Sequence, residues 1–111
     1  MGFFILRSKG KFYQFVVPGD KSLDFKKAKR LLNTSSLSLA THDEVLKLTD
    51  CTVGSVPPFG ILWNIPVYAD NSLAKEIDFS AGLHEKSIAI LLADWKRVVK
   101  PIMADIIQAD R

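Results

Sequence analysis

Phe3-Phe4-Ile5-Leu6-Arg7-Ser8-Lys9-Gly10-Lys11-Phe12-Tyr13-Gln14-Phe15-Val16-Val17 reads as two β-strands folded about one polar turn. Residues 3–7 carry apolar side chains on both faces, so both faces need cover. Ser8-Lys9-Gly10-Lys11 is the turn, and residues 12–17 return as the second strand of a hairpin. Pro18-Gly19-Asp20 ends that strand sharply.

Beyond the hairpin, Phe25, Ala28, Leu31 and Leu32 share one helical face, with Lys26, Lys27, Lys29 and Arg30 set between them. Asn33 suits the left-handed stop after that helix. Leu37 and Leu39 alternate with serines, which predicts a short strand over 36–40. Thr41-His42-Asp43-Glu44 has capping-box spacing, so a short helix should follow to about residue 48. Residues 61–63 and 67–69 read as strand, with Pro66 marking an edge or bulge between them. Asp70-Asn71-Ser72 suits one helical turn. Residues 77–81 and 87–92 predict two further strands about Gly82-Leu83-His84-Glu85. Asp94 is placed to cap a last helix over 95–100, and after Pro101 the residues Ile102, Met103, Ile106 and Ile107 carry another helical stripe. Strands and helices interleave without strict βαβ order, and no repeat or linker is seen. The expected fold is one α+β (mixed α/β) domain over residues 1–111, a single mixed, mostly antiparallel sheet with packed helices.

The chain has 111 residues, 48% hydrophobic and 24% charged, the balance of a globular domain with a modest core. A lone cysteine, Cys51, forms no internal disulfide, so nothing points to secretion. The apolar start is too short for a membrane span, lacks the features of a signal peptide, and has Leu6 where a myristoylation motif wants Ser or Thr. The expected location is the cytoplasm. A net charge of +3 allows a polyanionic partner without requiring one.

The most unusual segment is Gly54-Ser55-Val56-Pro57-Pro58-Phe59-Gly60. Adjacent prolines remove two backbone donors and fix two φ angles, and they hold Val56 extended. Glycines at the two ends permit close approach. Such a loop is rigid and offers bare backbone N–H groups to a small polar ligand. On its own it is more simply a structural connector.

Together with its surroundings the loop resembles the YbaK-type aminoacyl-tRNA deacylases and prolyl-tRNA editing domains. Pro18-Gly19-Asp20-Lys21-Ser22-Leu23-Asp24 looks like one family segment, and Gly54-Ser55-Val56-Pro57-Pro58, continued by Phe59-Gly60, is similar to its GxxxP motif. Ile65-Pro66-Val67 with Asp70, then Phe79-Ser80-Ala81-Gly82-Leu83-His84, then Asp94 and Ile106 follow in the family's order. The resemblance implies a hydrolase that clears mischarged aminoacyl-tRNA in trans, with alanyl- or cysteinyl-tRNA(Pro) as substrate. Water would attack the ester, helped by the substrate's own ribose hydroxyl, without a protein nucleophile or cofactor. Gly54 and His84 would be the catalytic positions. Ser55, Val56, Pro57, Pro58, Phe59 and Gly82 would bind substrate, and Lys21, Lys26, Lys27 and Arg30 would contact tRNA. The implied partners are an aminoacyl-tRNA and an aminoacyl-tRNA synthetase.

Family enzymes also carry a lysine just before the apolar run matching residues 3–6. It would fall at or near Gly2, and the first lysine here is Lys9. The chain therefore reads either as an N-terminally shortened domain or as a divergent form whose first strand is covered by a partner, such as a second copy in a homodimer. The alternative is a catalytically degenerate member that binds tRNA or a protein.

The remaining candidates have plainer readings. His84 is either a pocket residue or an exposed turn histidine. His42 reads as a surface residue, and Asp43 and Glu44 favour a helix N-terminus. Two histidines without HExxH or paired-cysteine spacing give no zinc signal. Cys51 is expected to be a small buried hydrophobe rather than a nucleophile. Trp63 and Trp95 are expected to pack. The basic helix face, if not simply solvated, would meet tRNA phosphates in a salt-sensitive way.

Overall fold

The computed structural model describes residues 2–52, 55–80 and 87–109. Strands β1 (Gly2–Ser8) and β2 (Lys11–Val17) form the expected hairpin, with Gly2 opposite Val17 and Ser8 opposite Lys11. Lys9 and Gly10 make its two-residue loop, both at positive φ (51° and 77°), the backbone that matches strand twist in tight hairpins. Strand β3 (Ser38–Leu39) pairs antiparallel with β1. On the other side β4 (Val67–Asp70) adds parallel to β2, and β7 (Ile102–Ala104) adds parallel to β4. The mixed sheet has the order β3-β1-β2-β4-β7. Strands β5 (Glu76–Ser80) and β6 (Ser87–Leu91) pair antiparallel as a separate two-stranded sheet.

Strict alternation along the strands builds a core on each face. Leu6, Phe15 and Val17 pack with Leu23, Ala28 and Ile106 beneath α1 (Phe25–Leu32). On the other face Val16, Val67 and Ala69 pack with Ile77, Phe79, Trp95 and Val99, the last two from α3 (Leu92–Val99). Ile5 packs there with Val45 of α2 (His42–Thr49), Val56 and Ile65. Strand β1 is thus an inner strand covered on both faces by the chain's own elements. That removes the reason for expecting a second copy over it.

Local chemistry sets the helix ends. Asp24 caps α1 by accepting from the amides of Lys26 and Lys27, and Asn33 ends it at φ 53°. The capping box of α2 is complete: Thr41 N–H donates to Glu44 Oε1 at 2.9 Å, and Glu44 N–H to Thr41 Oγ1 at 3.1 Å. Arg7 of β1 reaches the other Glu44 oxygen at 3.3 Å. Among the described residues no helix is long and apolar enough to cross a membrane.

Three local expectations are corrected. Residues Gly60–Trp63 form a 3-10 turn rather than a strand, ended by Asn64 at φ 56°. Helix α3 starts at Leu92, so Asp94 sits in its first turn and pairs with Arg97 at 2.7 Å instead of capping. After Pro101 the chain is extended: β7 completes the sheet, and Leu23 and Ile107 form an antiparallel bridge. The edge of β4 offered Ile102 and Met103 a ladder that a short helix behind a proline could not match.

Asp70 ties this C-terminal run to the sheet. Its carboxylate, almost fully buried, accepts from Ile106 N–H at 3.0 Å, from Ser72 N–H at 2.9 Å and from the Ser72 hydroxyl. Burial pushes this carboxyl up, but those hydrogen bonds and the charge of Lys27 outweigh it and hold it below its ordinary value. A depressed folded value contributes stability that is whole above about pH 4 and is lost as pH falls further. Asp70→Asn puts an amide donor against the donors of Ser72 and should cost about 1–3 kcal/mol at pH 7. Urea midpoints at pH 7 and pH 3 check this: the acid-induced drop should be smaller in the variant.

Candidate functional site

The loop 55–60 is held from below by two buried side chains. Gln14, in the middle of β2, is fully buried. Its Nε2 donates to the Pro57 carbonyl at 2.9 Å, and its Oε1 accepts from Gly60 N–H at 2.8 Å. Trp95 of α3, also fully buried, donates from Nε1 to the Pro58 carbonyl at 2.8 Å. Two consecutive proline carbonyls and the amide of Gly60 are therefore each met by a fixed partner. A strand and a helix distant in sequence grip a segment whose φ angles are already restricted.

Gly60 is needed for space, since a Cβ there would come within 3.0 Å of Gln14 Oε1 and 3.1 Å of the Ile65 carbonyl. Pro58 is fully buried and Val56 nearly so. Phe59 packs edge-on against Phe79 of β5, ring centres 5.6 Å apart, which links the loop to the smaller sheet. Ser55 donates from both its amide (3.0 Å) and its hydroxyl (2.8 Å) to the Thr52 carbonyl. Among the described residues its hydroxyl partners are Thr52 Oγ1 at 2.9 Å and the Thr52 carbonyl.

The expectation of bare backbone donors is narrowed. The amides of Ser55, Phe59 and Gly60 are all bonded within the chain. Among the described residues, the Val56 amide alone in this loop has no such acceptor. Gly54, Gly82 and His84 lie outside the described residues. His42 is exposed at the start of α2, and Cys51 is part-buried against the cluster of Ile5, Val45 and Val56.

The basic helix α1 is not uniform. Lys27 is turned to the C-terminal run, with Nζ 3.0 Å from each carboxylate oxygen of Asp105 and 2.8 Å from the Ile107 carbonyl. Lys26 and Arg30 are exposed, and Lys21 is part-buried beside the turn after β2. Reading the sequence missed Gln14 and the hydrogen bond of Trp95. The available signal was a glutamine inside an otherwise apolar strand, which demands a partner.

Comparison with known proteins bears on this geometry. The profile of the aminoacyl-tRNA editing domain matches residues 3–98. A proline--tRNA ligase of Bacillus cytotoxicus is 34% identical over 90 residues, 81% of this chain and 16% of that protein. One of Bacillus mycoides is 29% identical over 82 residues, 74% of this chain and 14% of that protein. The chain thus spans between about one eighth and one sixth of such ligases. A solved structure described as a candidate trans-editing enzyme for prolyl-tRNA synthetase superposes with a TM-score of 0.84 at 28% identity, covering 96% of this chain and 69% of that one.

Proposed function

This chain belongs to the aminoacyl-tRNA editing domain family, and from that premise we propose that it is a hydrolase that deacylates mischarged aminoacyl-tRNA in trans, with alanyl- or cysteinyl-tRNA(Pro) as substrate. The observation that carries the reading is the loop 55–60, held rigid by Gln14 and Trp95. A rigid backbone can orient an ester carbonyl without a rearrangement at the moment of reaction. In this reading Gly54 orients the aminoacyl group; Ser55, Val56, Pro57, Pro58 and Phe59 shape a small pocket; and Gly82 and His84 are assigned to its border. Water adds to the ester carbonyl, the ester C–O bond breaks, and the ribose oxygen leaves with a proton. The products are the free amino acid and uncharged tRNA. The reaction takes place in the cytoplasm, beside the synthetase that makes the error.

The test is release of labelled alanine or cysteine from tRNA(Pro), against a blank without protein. Hydrolysis above the blank is expected, with Gly54→Ala at least about tenfold slower because a methyl crowds the positioning backbone. A folded sample that releases nothing would instead favour a member of the family that binds tRNA without cleaving it.

A further inference from the structure

We infer that the hollow between the β1–β2 turn and the C-terminal end of α1 is a seat for backbone phosphates of RNA. It is an open depression of about 450 Å³, lined by Lys9, Lys29, Arg30, Asn33, Thr34 and Ser35. Three cations and three neutral polar groups face it, with no carboxylate. Among the described residues none of the three cations is paired with an acid. The walls are fixed to each other, since Ser8 Oγ of the hairpin lies 2.9 Å from Thr34 Oγ1. Thr34 Oγ1 is engaged by Ser8 and Ser36, which leaves the Asn33 side-chain amide and the Ser35 hydroxyl beside arginine and lysine, the groups that hold phosphate oxygens.

Lys9 adds a second line of argument. Among the described residues, the non-glycine residues at positive φ are Lys9, Asn33, Asp50, Asn64 and Lys100. Asparagine and aspartate tolerate that conformation, and asparagine is favoured where Lys9 stands in a two-residue hairpin loop. A lysine there gives up stability and brings an ammonium group to the hollow, the pattern of local strain kept at a working site. Lys29 and Arg30 are not needed to satisfy the helix end, because the amides of Asn33 and Thr34 already donate to the carbonyls of Arg30 and Lys29.

The hollow is on the α1 side of the sheet, whereas Gln14 holds the loop 55–60 on the opposite face. Gln14 is three residues along β2 from the turn, about 10 Å of strand. A ligand that reaches both must pass around the hairpin end, which suits a long polyanion rather than a free phosphate. The inference rests on the tRNA reading above.

Binding of uncharged tRNA(Pro), followed by fluorescence anisotropy between 50 and 200 mM KCl (about the range where phosphate contacts show), tests it without any hydrolysis. Lys29→Gln with Arg30→Gln should weaken binding by roughly tenfold or more at low salt and flatten the log–log salt slope by about 1–2. Lys9→Asn should weaken binding as well, yet raise the melting midpoint, so its loss cannot be blamed on unfolding. Lys47→Gln with Lys96→Gln, on α2 and α3, should leave affinity and slope near those of the parent. If the parent binds and deacylates tRNA while the hollow variants match it in affinity and slope, the seat is overturned and the editing reading stands. If the parent neither binds nor deacylates tRNA, both fall.

Discussion

Trp95→Ala is expected to cost about 3–5 kcal/mol, a large share of the roughly 5–15 kcal/mol that holds a domain of this size together. Trp95 is completely buried among Val16, Val67, Ala69, Ile77, Phe79 and Val99. It joins three units at once: α3 that carries it, the main sheet and the β5–β6 hairpin. Its removal leaves a cavity that close-packed β-branched neighbours cannot fill, and it strands the Pro58 carbonyl without a donor. Trp95→Phe separates the two effects. It keeps most of the ring volume and loses the N–H, so its cost should be nearer 1–3 kcal/mol. Urea unfolding of both variants measures the pair. A Trp95→Phe midpoint equal to the parent's would mean that the hydrogen bond to Pro58 contributes nothing and that Trp95 acts by volume alone.

What could be read in advance follows the range of the interaction. The hairpin over residues 3–17 was legible because its pattern and its turn are local, as were the capping box at Thr41 and the stop at Asn33. Residues 61–63 look like a strand only to a propensity argument. What sets them is Asn64 at positive φ and the bond from Ile65 N–H to the Gly60 carbonyl at 3.0 Å. Ile102 and Met103 pair with Tyr68 and Ala69, which lie more than thirty residues earlier, and no local periodicity reports that ladder. The site divides in the same way. Its rigid loop was visible from two prolines between glycines. The two side chains that hold it come from positions 14 and 95 and join it only in the folded chain. The basic residues of α1 were visible as charges, but only the fold shows Lys27 spent on Asp105 while Lys29 and Arg30 face the hollow with Lys9.

Gln14→Glu should convert the hold on the loop into a pH-dependent one. Only one orientation of the native amide satisfies its neighbours: the nitrogen must face the Pro57 carbonyl and the oxygen must face the Gly60 amide. A neutral glutamic acid has the same shape and the same donor and acceptor, so at low pH it can keep both bonds. An ionised glutamate can accept from Gly60 but presents an oxygen to the Pro57 carbonyl inside a fully buried site. Burial and that carbonyl both disfavour the charge, so the folded pKa of the new group lies above the unfolded value of about 4.3. The folded state then binds more protons than the unfolded one. The variant's deficit relative to the parent should be small near pH 4, grow as pH rises through the interval between the two pKa values, and level off above the folded one. At pH 8 we expect a loss of roughly 3 kcal/mol or more, with the proposed tRNA deacylation falling alongside because the loop loses its anchor. Taking the difference from the parent at each pH removes the opposite trend of Asp70. Gln14→Leu, which strands both loop groups at every pH, should be destabilised by about 2–5 kcal/mol with no such dependence. A Gln14→Glu deficit that is flat from pH 4 to pH 8 would show that this side chain does not hold the loop through its two hydrogen bonds.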